Sequence, residues 1–336
     1  MRFFAIGTAV VGVALALLPH IVYVLAKLVG LVAPLRVRYS PFGYTALGLA
    51  ALWVALACYG SLCGRFRHEV KPVQLSFFRL PLAFDGLRIV HISDLHLRGW
   101  AGHEGRLLER VEEINALQPD IICFTGDLVS MAADELKPFV PVLRMLHAKE
   151  EGRVYAVLGN HDYMPYNRSL SPQERAAATS ELVRMEREEL GWKVLLNGSA
   201  VIRRDGDSIA ILGCENQSVG AHPVVQRGDL RKTTEGIDTE QAFCILLTHD
   251  PSQWRKEVLP ETSIPLTLCG HTHAMQLRIL GFTPSKWFYP ECDGLYTEGG
   301  RHLYVNIGLG SILPLRIGAT PEITLLTLNR SPEEEP

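Results

Sequence analysis

Leu87-Arg-Ile-Val-His-Ile-Ser-Asp-Leu-His-Leu97 is an apolar run that ends in an acid and an imidazole two residues apart. The run reads as a β-strand. In extended chain, residues i and i+2 point to the same side. Asp94 and His96 can therefore grip one metal ion from the tip of a strand.

Four further apolar runs end in the same manner. Gly126-Asp127 follows Ile121–Thr125, and Gly159-Asn160-His161-Asp162 follows Val154–Leu158. Thr248-His249-Asp250 follows Phe243–Leu247, and Gly270-His271-Thr272-His273 follows Pro265–Cys269. In open α/β sheets, sites form outside the carboxyl ends of the strands. All five loops can thus converge on one rim. Taken singly, an Asp-x-His, a Gly-Asp or a Thr-His says little, and each longer motif can be an ordinary turn. The joint pattern, five elements in order and each after a strand, carries the weight.

The residue types suit two ions. Neighbouring cations repel, so a shared anionic ligand is needed, and Asp127 is the natural bridge. Asp94, His96 and His273 complete one ion's protein ligands; Asn160, His249 and His271 complete the other's. The mixed nitrogen and oxygen set fits Mn²⁺, Fe or Zn²⁺. Glycines before Asp127, Asn160 and His271 let the backbone turn sharply into the cluster. Two such metals can share a hydroxide and clamp a phosphoryl group for in-line attack. His161 is left beside Asn160 as a general acid or charge stabiliser. Asp162 either orients His161 or caps the loop.

This order resembles the calcineurin-like metallophosphoesterase superfamily, whose pattern D-x-H, G-D, G-N-H-D/E, H, G-H-x-H is filled at every position. The resemblance covers roughly residues 85–328. It implies a four-layer α/β/β/α fold, a dinuclear site and hydrolysis of phosphate esters. It matches Asp94, His96, Asp127, Asn160, His249, His271 and His273 to metal ligands, and His161 to the catalytic histidine. The chain also looks like a bacterial, membrane-attached subgroup related to UDP-2,3-diacylglucosamine pyrophosphatases. That likeness rests on the anchor and the layout.

Composition agrees with one large domain plus extras. Of a formal charge of −3, residues 1–71 hold seven Lys/Arg and one acid, Glu69, so they carry +6 and the rest −9. An acidic globular part argues against nucleic acid as a partner. The seven cysteines form no CxxC pair and suggest neither a disulfide framework nor a zinc finger.

Residues 3–34 and 41–63 are almost continuously apolar, joined by Leu35-Arg-Val-Arg-Tyr-Ser40. A transmembrane helical hairpin is the simplest reading. The rivals are a cleaved signal peptide for the first run and a pair of buried core helices. Residues 1–70 are then a membrane anchor and 71–336 a catalytic domain. Arg2, Arg65, Arg67 and Lys71 outnumber Arg36 and Arg38, which predicts a cytoplasmic catalytic domain on the inner membrane.

Beyond residue 71, strands alternate with helices and then dominate, as in an α/β sandwich of two mixed sheets with helices outside. Strands are expected at Val73–Leu80, Val194–Leu196, Ala200–Arg203, Ser208–Gly213, His302–Val305 and Ile323–Leu328, with Asp205-Gly206 as a hairpin turn. Helices are expected at Gly105–Leu117, Glu135–His147 and Pro172–Leu190.

The function expected is that of a dinuclear metal-dependent phosphodiesterase. The alternatives are a nucleoside-diphospho-lipid pyrophosphatase of the UDP-diacylglucosamine type and a non-catalytic scaffold of the same fold. The substrate is a phosphate ester, lipid-linked if the anchor places the site at lipid head groups, or soluble if the anchor only localises the enzyme. Tyr163 and Tyr166 follow the Gly-Asn-His-Asp loop and can line the entrance, and Met275, Gln276, Trp287, Phe288 and Tyr289 form either an apolar rim or ordinary packing.

Overall fold

A strand covered on both faces needs apolar side chains at every position, and the runs quoted above supply them. A computed structural model describes residues 2–31, 36–149, 154–219 and 224–332. It places twelve strands in two six-stranded sheets. The strands are β1 (Glu69–Phe77), β2 (Leu87–Ile92), β3 (Ile121–Phe124), β4 (Val154–Ala156), β5 (Lys193–Val194) and β6 (Gly198–Arg204). They continue with β7 (Asp207–Gly213), β8 (Cys244–Leu247), β9 (Leu266–Cys269), β10 (Gly294–Glu298), β11 (Arg301–Val305) and β12 (Glu322–Arg330). The first sheet runs β1-β12-β2-β3-β4-β5, parallel except between β12 and β2. The second runs β10-β11-β9-β8-β7-β6, parallel in its centre and antiparallel at each edge.

Three apolar layers explain the stacking. Between the sheets, Leu87, Ile89, Ile121 and Cys123 meet Ile209, Ile211, Ile245, Leu247 and Leu268. The alternate residues Val90, Ile92, Ile122 and Phe124 face outward against Leu107, Val111 and Ile114 of the helix Glu104–Ala116 and Leu182 of the helix Pro172–Arg184. On the far side, Leu212, Cys244, Leu246 and Leu303 face Trp254 and Val258. Period-2 alternation thus assigns each strand residue to one of two layers. The outcome is an α/β/β/α sandwich.

Local chemistry accounts for the departures from expectation. Glu135–His147 is not one helix: a 3-10 segment Ala133–Phe139 leads into one α-turn, Val140–Leu143. Pro138 and Pro141 remove the amide donors that a longer helix needs. β1 starts at Glu69, earlier than expected, because Glu69 and Val70 already pair with Glu322 and Ile323 of β12. β10 carries no clear strand pattern in the sequence. Its half-exposed residues hide it, although Gly299-Gly300, both at positive φ, mark the hairpin that joins it to β11. Asp205 and Gly206, at φ 50° and 89°, form the expected turn between β6 and β7.

The chain divides into two units, Met1–Arg65 with Leu313–Ile317, and Phe66–Ile312 with Gly318–Pro336. The smaller unit holds the helices Arg2–Val29 and Ser40–Tyr59. Gly12 lies against Trp53, and Tyr23 against Phe42, so the two run antiparallel as a hairpin. Ala9–Val29 and Ser40–Gly64 are long and apolar enough to cross a membrane, and their residues are mostly exposed.

Candidate metal centre

β2, β3 and β4 are parallel neighbours in one sheet; β8 and β9 are parallel neighbours in the other. Their five carboxyl-end loops meet at one end of the sandwich. Backbone bonds lash them together. Asp94 N–H donates to Gly126 O at 2.9 Å and His96 N–H to Asp127 O at 3.0 Å. Gly270 N–H donates to His249 O at 3.0 Å, and His271 N–H to Asp94 Oδ2 at 3.0 Å.

The side chains converge. Nε2 of His96 and Nε2 of His273 are 3.0 Å apart, and His273 Nε2 is 3.1 Å from Asp94 Oδ1. Asp127 Oδ2 is 3.5 Å from His96 Nε2 and 3.3 Å from His249 Nε2. Asp94, His96 and His273 offer ligand atoms within 4.8 Å of one another, and so do Asp94, Asp127 and His249. Asn160 Oδ1 lies 2.9 Å from His271 Nδ1. His271 stands at the edge of the cluster, its Nε2 on the hydroxyl of Tyr289 at 2.8 Å.

The residues fit divalent ions. Asp94 Oδ1 and His249 Nε2 are buried and, among the described residues, make no well-aligned hydrogen bond, only the close contacts with His273 Nε2 and Asp127 Oδ2, an arrangement that costs free energy unless something else satisfies them. His249 Nδ1–H donates to the carbonyl of Thr125 at 2.6 Å, which turns its Nε2 lone pair inward. Opposed imidazole nitrogens backed by two carboxylates form a mixed N/O donor set.

Electrostatics agree. Burial opposes charge on Asp94, yet His273, His249 and His96 hold its carboxyl well below the usual range. Burial likewise lowers His249, but Asp127 and Asp94 outweigh it and lift the imidazole to about 10. The carboxylates therefore draw positive charge into a closed site, and a cation supplies it without that proton.

Backbone geometry marks the same residues. Asp94, His96, Asp127, His271 and His273 all have φ between 46° and 75°. Left-handed conformations cost non-glycine residues energy and cluster at functional sites. Of the three flanking glycines, Gly126 does use positive φ, at 94°. Gly159 is required for a different reason. A Cβ there would lie 2.2 Å from Asp127 Oδ1, so two metal-facing loops could not approach.

His161 lies beside these groups. Its N–H donates to Asp127 Oδ1 at 2.8 Å and its Nδ1–H to Ser130 O at 2.8 Å, leaving Nε2 as the remaining ring nitrogen. With His96 and Asp127 it too is within ligand range. Asp162 does not bond the imidazole. Its carboxylate accepts N–H groups from Asp127, Val129 and Gly159 at 2.8, 3.1 and 2.9 Å, tying two loops together. Burial and Asp127 push that carboxyl up to about 7. Ser130 belongs to none of the five motifs, yet its hydroxyl meets His96 Nδ1 at 3.3 Å while its carbonyl holds His161. Tyr166 packs at a tilt against His161, centroids 4.4 Å apart, and accepts a bond from Asn160 Nδ2.

A family model described as "Calcineurin-like phosphoesterase" matches residues 87–275, which span four of these loops and the fifth through His273. The chain belongs to the calcineurin-like phosphoesterase family. It is 31% identical over 74% of its length to the uncharacterized metallophosphoesterase YkuE of Bacillus subtilis, covering 81% of that protein. It is 30% identical over 88% of its length to a Danio rerio transmembrane protein with metallophosphoesterase domain, covering 65% of that protein. Against the phosphodiesterase YaeI of Escherichia coli, identity is 28% over 78% of this chain and 92% of that one. A calcineurin-like phosphoesterase hydrolyses phosphoesters with divalent metals, and this member carries two helices of membrane-spanning length.

Proposed function

We propose that this member is a membrane-anchored, dinuclear metal-dependent phosphodiesterase, with residues 71–336 as its catalytic domain on the cytoplasmic face of the inner membrane. The observation that carries the reading is the buried cluster of Asp94, His96, Asp127, His249 and His273, with Asp94 Oδ1 and His249 Nε2 lacking a well-aligned hydrogen bond among the described residues. Asp94, His96 and His273 would hold one ion, Asn160, His249 and His271 the other, and Asp127 would serve both. When bound, the two ions supply the charge that draws in phosphoryl oxygens and activates water. The protein's own part is positional. Thr125 O orients His249, Ser130 orients His96 and His161, and Asp162 fixes the loop that carries Asn160. With both ring nitrogens protonated, His161 presents Nε2–H to the leaving oxygen and donates that proton there.

The name of YaeI supports a diester substrate. The excess of Arg2, Arg65, Arg67 and Lys71 over Arg36 and Arg38 supports the orientation. A second reading, cleavage of a nucleoside-diphospho-lipid, is favoured by the exposed Met275, Trp287 and Phe288 near Tyr289.

The test is hydrolysis of a chromogenic diester and a chromogenic monoester by the full chain in detergent. Chelated protein is assayed before and after adding Mn²⁺, Zn²⁺ or Mg²⁺, beside Asp127→Ala and His161→Ala. Metal-restored diesterase activity lost in both variants is expected. A folded chain that binds no metal overturns the reading.

A further inference from the structure

The segment from Ala274 to Tyr289 leaves the metal centre at His273 and returns to it at Tyr289, whose hydroxyl bonds His271. Between these ends it is a built hairpin. Ile279 and Phe282 exchange both backbone bonds, at 2.9 and 3.0 Å. Leu280 and Gly281, at φ 48° and 82°, make the two-residue turn. Thr283 Oγ1 donates to Ala274 O at 2.6 Å and staples the base.

This shape displays apolar side chains instead of burying them. Leu280 at the tip is fully exposed, Trp287 is 72% exposed and Phe288 62%, and Met275, Ile279 and Phe282 are each at least 45% exposed. Phe282 and Trp287 pack against each other at a tilt, centroids 5.4 Å apart. Exposed large apolar side chains concentrated on one hairpin mark an interaction site.

Charge identifies the partner. From Ala274 to Pro290 the sequence has no acid and two bases, Arg278 and Lys286. Arg278 pairs with Asp293, which leaves Lys286 beside Trp287. Exposed Trp and Phe next to an exposed Lys is the composition that settles at a membrane–water interface above anionic lipid. The chain's two membrane-length helices keep a bilayer within reach by covalent connection alone.

We propose that residues 275–288 form a membrane-interface hairpin that seats on an anionic bilayer. Leu280, Trp287 and Phe288 enter the boundary between headgroups and acyl chains, and Lys286 meets lipid phosphates. Passage of an amphiphilic phosphoester to the metal centre then rests on the hydrolase reading above; the seating itself does not.

The experiment uses the full chain in nanodiscs containing phosphatidylglycerol, with brominated or ordinary acyl chains. Subtracting the tryptophan emission of Trp287→Phe from that of the wild type isolates Trp287. Seating predicts a blue-shifted Trp287 component that brominated lipid quenches and that Leu280→Asp restores toward the aqueous spectrum. A water-like, unquenched component overturns the proposal. So does a Trp287 shift that follows protein self-association regardless of lipid, since a second copy then covers the hairpin. In the activity arm, Leu280→Asp is expected to raise KM for a vesicle-borne diester roughly tenfold and leave a soluble diester unaffected. An equal loss on both substrates overturns delivery. If the wild type hydrolyses neither, the hydrolase reading fails while the quenching still decides the seating.

Discussion

The Nε2 atoms of His96 and His273 face one another at 3.0 Å in a closed pocket, with Asp94 Oδ1 3.1 Å from the latter. One nitrogen can donate to the other, but Asp94 Oδ1 then stays unbonded. A cation among the three satisfies all of them. Metal should therefore stabilise the folded chain. At about a hundred times Kd the gain is about 2.7 kcal/mol, which raises the melting temperature of a domain this size by roughly 5–10 °C. Thermal melts with chelator and with Mn²⁺ measure it. His273→Ala should abolish most of the metal-dependent shift; an undiminished shift would remove this site from consideration.

His161 calls for a different signature. Its N–H and Nδ1–H are committed to Asp127 and Ser130, so Nε2 is the atom available for chemistry. His161→Gln should lower kcat about 10²–10⁴-fold while metal content, read by elemental analysis, stays near wild type. A substrate whose leaving group needs no proton should lose less than an alkyl ester. Loss of metal in this variant would instead make His161 a ligand.

Gly159→Ala tests how closely the loops must approach. The new Cβ would lie 2.2 Å from Asp127 Oδ1 and 2.5 Å from its backbone nitrogen. Neither can yield without moving the proposed bridging carboxylate. Activity should fall at least about a hundredfold, since small misplacements cost that much, with a lower melting temperature. Activity within twofold of wild type would mean that the loop relaxes freely.

Much of this centre could be read in the chain because the ligand-bearing loops follow strands buried on both faces, which leave continuous apolar runs ending in polar residues. Asp94 and His96, or His271 and His273, are visible by spacing alone. What stayed hidden lies mainly in the backbone. The Thr125 and Ser130 carbonyls that orient His249 and His161 have no side-chain signature. The left-handed φ of five ligand residues depends on tertiary pairing that no local propensity encodes. Asp162 reads like a partner for His161 by adjacency, yet three amides from two loops claim its oxygens. Pro138 and Pro141 were legible helix breakers whose effect outweighed the apolar spacing around them.

His91 gives the pH dependence. It is fully buried on β2, its Nε2 2.9 Å from Thr125 Oγ1, and its Nδ1 has no hydrogen-bond partner. Protonation would place an unpaired charge in the core, so burial lowers this imidazole from 6.5 to about 3. The sign follows from which state takes up the proton. Below pH 6.5 the unfolded chain binds one at His91 and the native chain does not. The contribution is thus fully present above 6.5 and lost as pH falls toward 3, at about 1.4 kcal/mol per pH unit. His96, also lowered by burial, adds loss of the same sign, so the comparison must be with a variant. His91→Gln removes the titration and offers Thr125 a polar partner. Denaturant midpoints of wild type and variant between about pH 4.5 and 6.5 should show the slope reduced by close to one proton. Equal slopes would mean that His91 is protonated, or exposed, in the folded chain.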